Sequence, residues 1–114
     1  MLNNDTICAL ATANGMGAIA VIRISGPEAI SKVAQIYQSK FNSTKSLNDA
    51  SSHTIHLGYV MDGDTIVDEA LFSIFKNPHS YTGEDVVEIS THGSIYIQQK
   101  VLELLNKIGI RNAN

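Results

Sequence analysis

Asn77-Pro-His-Ser-Tyr-Thr-Gly-Glu-Asp-Val-Val-Glu-Ile-Ser-Thr-His-Gly-Ser94 is the stretch that decides how the rest of the chain is read. Its middle, Val86 to Thr91, is short, rich in β-branched residues and bounded by turn formers, so it reads as a strand. Side chains alternate across a strand, which puts Val87, Ile89 and Thr91 on one face and Glu88, Ser90 and His92 on the other. A carboxylate in mid-strand is costly to bury unless a cation of the protein or a ligand satisfies it. The plain alternative is a half-exposed face with Glu88 in water. Loops rich in Gly, Ser and Tyr flank the strand at both ends, and binding residues concentrate in such loops. Tyr81, Thr82, His92 and Gly93 are therefore pocket candidates. Two acceptor oxygens on one carboxylate suit a flat ligand with two adjacent N–H donors.

Upstream, Thr6 to Thr12 reads as a first strand closed by the turn Ala13-Asn-Gly-Met-Gly17, whose Gly15 and Gly17 join the pocket candidates. Ala18 to Ser25 is a nearly all-apolar second strand. Arg23 is the anomaly in it, on the face of Ile19, Val21 and Ser25, opposite Ala20, Ile22 and Ile24. Either its stem packs on apolar neighbours while the guanidinium reaches solvent, or it is a fixed fork for a carboxylate on a rigid element. No Gly-Lys-Ser/Thr loop occurs and Gly15-x-Gly17 does not open a helix, which disfavours nucleotide binding by this chain.

Ser25-Gly-Pro-Glu28 has capping-box spacing and predicts a helix to about Tyr37, with Ile30, Val33, Ala34 and Tyr37 as its apolar stripe. Gln38 to Ser52 reads as a long surface loop with room for one helical turn. His53 to Met61 alternates, with Ile55, Leu57, Tyr59 and Met61 expected inward and Thr54, His56 and Gly58 opposite. Asp62-Gly-Asp64 predicts a hairpin returning as a strand from Thr65 to Phe75, with a bulge or break at Asp68-Glu69. Ser94 to Ile108 predicts a second helix burying Ile97, Val101, Leu104, Leu105 and Ile108, with Gly109 at C′. Its free N-terminal N–H groups point at the neighbourhood of Glu88. Ile110 to Asn114 reads as the start of another strand cut short, as in a piece of a longer protein.

The 114 residues fit one domain with a real core. A hydrophobic content of 44%, a charged content of 17% and a formal net charge of −3 are ordinary for a soluble globular chain and offer no basic cluster for a phosphate backbone. The single Cys8 in an apolar strand fits a buried thiol in a reducing cytoplasm. No apolar run reaches membrane-spanning length, and the Asn42-Ser-Thr44 sequon has no meaning without secretion. The four histidines lack metal-ligand spacing. A nucleophile set can be drawn from Ser80, Asp85 and His92, but no Gly-x-Ser-x-Gly elbow supports it, and His92 reads as a turn residue bonded to backbone.

Asp5-Thr-Ile-Cys-Ala-Leu-Ala-Thr-Ala-Asn-Gly-Met-Gly-Ala18, Arg23-Ile-Ser-Gly-Pro27 and Ser80-Tyr-Thr-Gly-Glu-Asp-Val-Val-Glu88 with His92-Gly93 occur in this order. On these blocks the chain resembles, over essentially all its length, the N-terminal domain of the MnmE (TrmE) family of bacterial tRNA-modification GTPases. The family departs at two turns, with Thr-Pro-x-Gly-x-Gly-Gly for Thr12 to Ala18 and His-Gly-Gly for His92-Gly93-Ser94. The resemblance implies a fold similar to the tetrahydrofolate-binding module of the glycine-cleavage T protein. It also implies a homodimer and a bound 5-formyl-tetrahydrofolate contacted by Arg23 and Glu88. A further family contact, a lysine after a Pro-Gly-Glu-Phe-type motif, falls beyond Asn114. For the full-length protein it implies a helical domain and an inserted GTPase using GTP, Mg and K, absent from residues 1–114. It further implies work with the FAD-containing MnmG (GidA) on the wobble uridine of tRNAs in the cytoplasm, with tRNA bound through the full complex. The resemblance places catalysis in that larger protein rather than in this piece.

The fold expected is α+β, a mixed, largely antiparallel sheet of about five or six strands with two or three helices. The function expected is folate binding and homodimerisation. The rivals are a purely structural dimerisation module with a vestigial pocket, and a stand-alone hydrolase or metal enzyme using His79, His92 and Glu88.

Overall fold

The computed structural model describes residues 5–12, 17–41, 45–78 and 84–113. Seven strands, β1 (Ile7–Leu10), β2 (Ile19–Ser25), β3 (Tyr37–Ser39), β4 (Thr54–Asp62), β5 (Thr65–Phe75), β6 (Val86–His92) and β7 (Arg111–Asn112), form one sheet in the order β3-β4-β5-β6-β2-β1-β7. Every pairing is antiparallel except that of β1 with β7. Two helices, α1 (Ala29–Val33) and α2 (Ile95–Lys107), complete the α+β fold. They bury Ala29, Ile30, Val33, Val101, Leu104 and Leu105 against Ile22, Ile24, Phe72, Ile74, Val87 and Ile89 of the central strands. Alternation along β2 and β6 falls as the residue pattern requires. Ala20, Ile22 and Ile24 are buried with Val87, Ile89 and Thr91, while Arg23, Glu88, Ser90 and His92 lie on the face the helices leave uncovered.

The seventh strand, β3, comes from the region expected to be helix and loop. The helix after β2 is shorter than predicted. It tightens to a 3₁₀ turn over Ala34–Ile36, and Tyr37 is extended, pairing with Val60 of β4. The Tyr37 ring meets Phe72 edge-on at 4.8 Å between centroids. An aromatic ring can reach the core from a helix or from an adjacent strand, so its place in an apolar stripe does not separate the two. The capping box is not used either. Ser25 ends β2, Gly26 adopts φ +139°, and the Glu28 N–H donates to the Thr6 hydroxyl at 3.1 Å.

In β4 the expected faces are reversed. Gly58 and Val60 are buried on the helix side and His56 pairs with Phe72, while Ile55 is 66% exposed and Leu57 and Tyr59 share its face. Alternation finds two faces without saying which one is covered. Glycine is required at position 58, because a Cβ there would lie 2.5 Å from both the Gln38 carbonyl and the Tyr37 ring. The hairpin turns at Gly63 (φ +59°), and the bulge falls at Val67, since Val60 faces Asp68 while Met61 faces Ile66.

The second helix forms where expected and buries Val101, Leu104 and Leu105, with Ile97 and Ile108 partly buried and Gln98 buried beside them. The Ser94 hydroxyl accepts the Ile97 N–H at 3.0 Å. Gly109 (φ +94°) and Ile110 then donate to the Asn106 and Leu105 carbonyls, closing the C-terminus in a Schellman arrangement. Cys8 is buried, and burial pushes its thiol above the usual range. No helix among the described residues is long and apolar enough to cross a membrane.

Where β6 ends, Gly93 donates to the Ala18 carbonyl (3.2 Å) and accepts from the Gly17 N–H (3.3 Å), and a Cβ on Gly93 would run into the Gly17 carbonyl. Gly93→Ala is therefore expected to destabilise the chain by about 1–3 kcal/mol through overpacking. Ser94→Ala should cost about 1 kcal/mol through the lost cap. Urea unfolding measures both, and a Gly93→Ala variant as stable as wild type would contradict the close backbone approach.

Candidate functional site on the open sheet face

The β2–β6 register places Arg23 directly opposite Glu88, and the β5–β6 register places Ser73 on the other side of Glu88. Arg23 donates to Glu88 Oε2 through Nε at 2.9 Å and Nη2 at 2.7 Å. The arginine side chain is 53% exposed and the glutamate 26%. Of the two ways to satisfy Glu88, the protein cation is the one realised. The two residues that the sequence singles out on separate strands form one neutral pair at the sheet's centre.

Farther along the same face, His92 ends β6. Its backbone N–H lies beyond the last β5–β6 pair, Leu71 with Ser90, and donates to Asp68 Oδ2 at 2.8 Å. Its ring Nδ1 lies 2.8 Å from Asp68 Oδ1. The Asp68 side chain is only 11% exposed while the His92 ring is 73% exposed. His92 is thus held by a carboxylate from a neighbouring strand, where a turn residue bonded to backbone was expected. Asp85, drawn on sequence as its acidic partner, instead accepts the Asn77 N–H at 2.8 Å. Asp68 was legible only as a charge breaking an apolar strand. The bulge beside it is what that signal marked.

Beside His92 lies a shallow hollow of about 200 Å³, walled by Ile19, Leu57, Leu71, Ser90, Glu69 and His92 among others. Lys40 bonds Glu69 at 2.8 Å. That hydrogen bond, and then the attraction of the same carboxylate, raises the Lys40 amine above its usual value. A separate cavity of about 410 Å³ lies between β3, β4 and the Leu47–Asp49 turn, lined by Phe41, Leu47 and His56 among others. Of the pocket candidates, Gly17, His92 and Gly93 come together where β2 begins and β6 ends. Gly15, Tyr81 and Thr82 lie outside the described residues, as do His79, Ser80 and the Asn42–Thr44 sequon. Among the described residues no group of three or more His, Cys, Asp or Glu could hold a metal ion.

A family model described as "GTP-binding protein TrmE N-terminus" matches residues 6–114. The chain belongs to the TrmE N-terminal family. It is 53% identical over 114 residues to the tRNA modification GTPase MnmE of Flavobacterium johnsoniae, covering 100% of this chain and 24% of that protein. It is 54% identical over 110 residues to the protein of the same name from Christiangramia forsetii, covering 96% and 23%. The MnmE of Acholeplasma laidlawii is 53% identical over 110 residues, with the same coverage. This TrmE N-terminal chain spans about a quarter of the length of these relatives.

In this TrmE N-terminal chain the Arg23–Glu88 bond is half in water, where such pairs contribute little. A double-mutant cycle with Arg23→Ala and Glu88→Ala is expected to return a coupling of about 0.2–1 kcal/mol in urea unfolding. A coupling several times larger would make the pair a structural clamp.

Proposed function

We propose that this chain is the folate-binding and homodimerisation domain of a tRNA modification GTPase. The observation that carries the reading is the Arg23–Glu88 pair, charged and partly open, on the uncovered face of the two central strands. A pterin ring offers adjacent ring N–H and amino donors that one carboxylate accepts in parallel. Among the described contacts the guanidinium fills both lone pairs of Oε2 and leaves Oε1 open, so accepting the two pterin donors in parallel requires an Arg23 N–H to leave Oε2, and Arg23 keeps its other donors for the rest of the cofactor. Rigid strands hold both groups near their working geometry before a ligand arrives.

In this reading 5-formyl-tetrahydrofolate is the ligand, and it supplies a one-carbon unit for modification of the wobble uridine. The longer protein contributes the GTP site with its Mg and K and acts with MnmG on tRNA in the cytoplasm. This chain contributes binding and assembly and no catalytic group. Homodimerisation is supported by Ile19, Ile55 and Leu71, which are 63%, 66% and 43% exposed on the open face.

The second reading is a structural dimerisation module whose pocket is vestigial. It is favoured by the fact that Arg23 and Glu88 satisfy each other without a ligand. Calorimetric titration with 5-formyl-tetrahydrofolate separates the two. Wild type is expected to bind, and Glu88→Ala to bind at least tenfold more weakly, as for a lost charge-assisted hydrogen bond worth about 1.5–3 kcal/mol. No heat in wild type would favour the structural module, and equal binding by both proteins would remove Glu88 from the site. Sedimentation at micromolar concentration is expected to return a dimer, and a monomer there would count against self-association.

A further inference from the structure

Asp68 and His92 are not used by the Arg23–Glu88 site, yet they have the geometry of an oriented acceptor. An ionised carboxylate can only accept, so the His92 nitrogen 2.8 Å from Asp68 Oδ1 must carry the proton. In the neutral ring the other nitrogen, Nε2, is then a bare lone pair. An aspartate orients the histidine of serine proteases by the same logic, and changing that acid to its amide there yields the wrong tautomer. Here both Asp68 oxygens are taken by one residue, the ring at Oδ1 and the backbone N–H at Oδ2. The backbone beyond the ring is pinned as well, Gly93 against Gly17 and Ala18. A ring fixed at this many points and still 73% exposed is oriented toward solvent rather than packed into a core.

The surroundings specify the kind of group it faces. The hollow beside His92 has Ile19, Leu57 and Leu71 for apolar walls and Ser90 for a polar contact, a shape suited to one flat ring. Its ionisable neighbours are acidic, Asp68 and a Glu69 already paired with Lys40. An N–H donor suits that field, while any carboxylate that the same ligand carries must lie outside the hollow in water. Glu88, Ser90 and His92 stand in one row, and four residues of strand span roughly 13 Å. One extended molecule made of two linked ring systems can therefore meet Glu88 at one end and His92 at the other.

We propose that His92, fixed by Asp68 in the Nδ1–H tautomer, accepts at Nε2 a hydrogen bond from an N–H on the p-aminobenzoyl arm of a folate whose pterin is held at Glu88. Asp68 is the positioning residue for this contact and His92 the binding residue. The proposal rests on the folate reading above.

Long-range proton–nitrogen NMR of the 114-residue chain tests it in two steps. Without ligand, the His92 ring of wild type is expected to carry its proton on Nδ1. In Asp68→Asn the proton is expected on Nε2, because the new amide can still accept the His92 N–H while donating to the ring. A wild-type ring protonated on Nε2 would overturn the proposal. Titration with 5-formyl-tetrahydrofolate follows. Saturation is expected to shift the Nε2 resonance, and Asp68→Asn and His92→Phe should each weaken binding about five- to tenfold, the value of one hydrogen bond. Should Asp68→Asn fail to fold, His92→Phe carries the affinity test. Glu88-dependent binding that leaves Nε2 unmoved and His92→Phe unaffected would overturn the His92 contact alone. Absence of any binding to wild type would overturn the folate reading and this contact with it, whatever the tautomer.

Discussion

The antiparallel ladder between β2 and β6 is the constraint on which the rest of the structure depends. It sets Ile22 against Ile89 and Ile24 against Val87 on the helix side, where all four are buried. The same register sets Arg23 against Glu88 on the open side. A slip of one residue would bring charges into the core and isoleucines to the surface. Core packing and the charged pair are thus two consequences of one alignment. The buried face supplies the free energy that holds the exposed face in place, since a half-exposed ion pair contributes little by itself.

The end of β6 is built differently. There the ladder with β5 stops, and the Asp68 carboxylate replaces a strand carbonyl as the acceptor for the His92 N–H. Immediately afterwards, backbone meets backbone between Gly93 and the Gly17-Ala18 entry to β2. The glycine at 93 answers to steric contact rather than to a left-handed conformation. The serine that follows caps α2 through its hydroxyl. The turn through Gly93-Ser94 therefore closes tightly.

Much of the frame was legible in the residues. The hairpin at Asp62 to Asp64, the strand at Val86, the second helix with its glycine stop and the two faces of β2 all follow from local turn chemistry and period. The errors have a common cause. The helical stripe through Tyr37 and the inward face of β4 both fail because periodicity reports that a face exists, whereas burial depends on what packs against it. The open side of β4, carrying Ile55, Leu57 and Tyr59, is the more apolar side. Where the covered side must admit the Tyr37 ring, it uses Gly58.

The sequence by itself determined the class of fold, the family and the two out-of-place charges, because a charge in an apolar strand is visible without coordinates. Only the tertiary structure decided that Arg23 and Glu88 face each other and that Asp68 holds His92. Both pairings join residues far apart in the chain, 65 positions in one case and 24 in the other. Strand order and register bring such residues together, and neither is written in the local pattern that surrounds each residue.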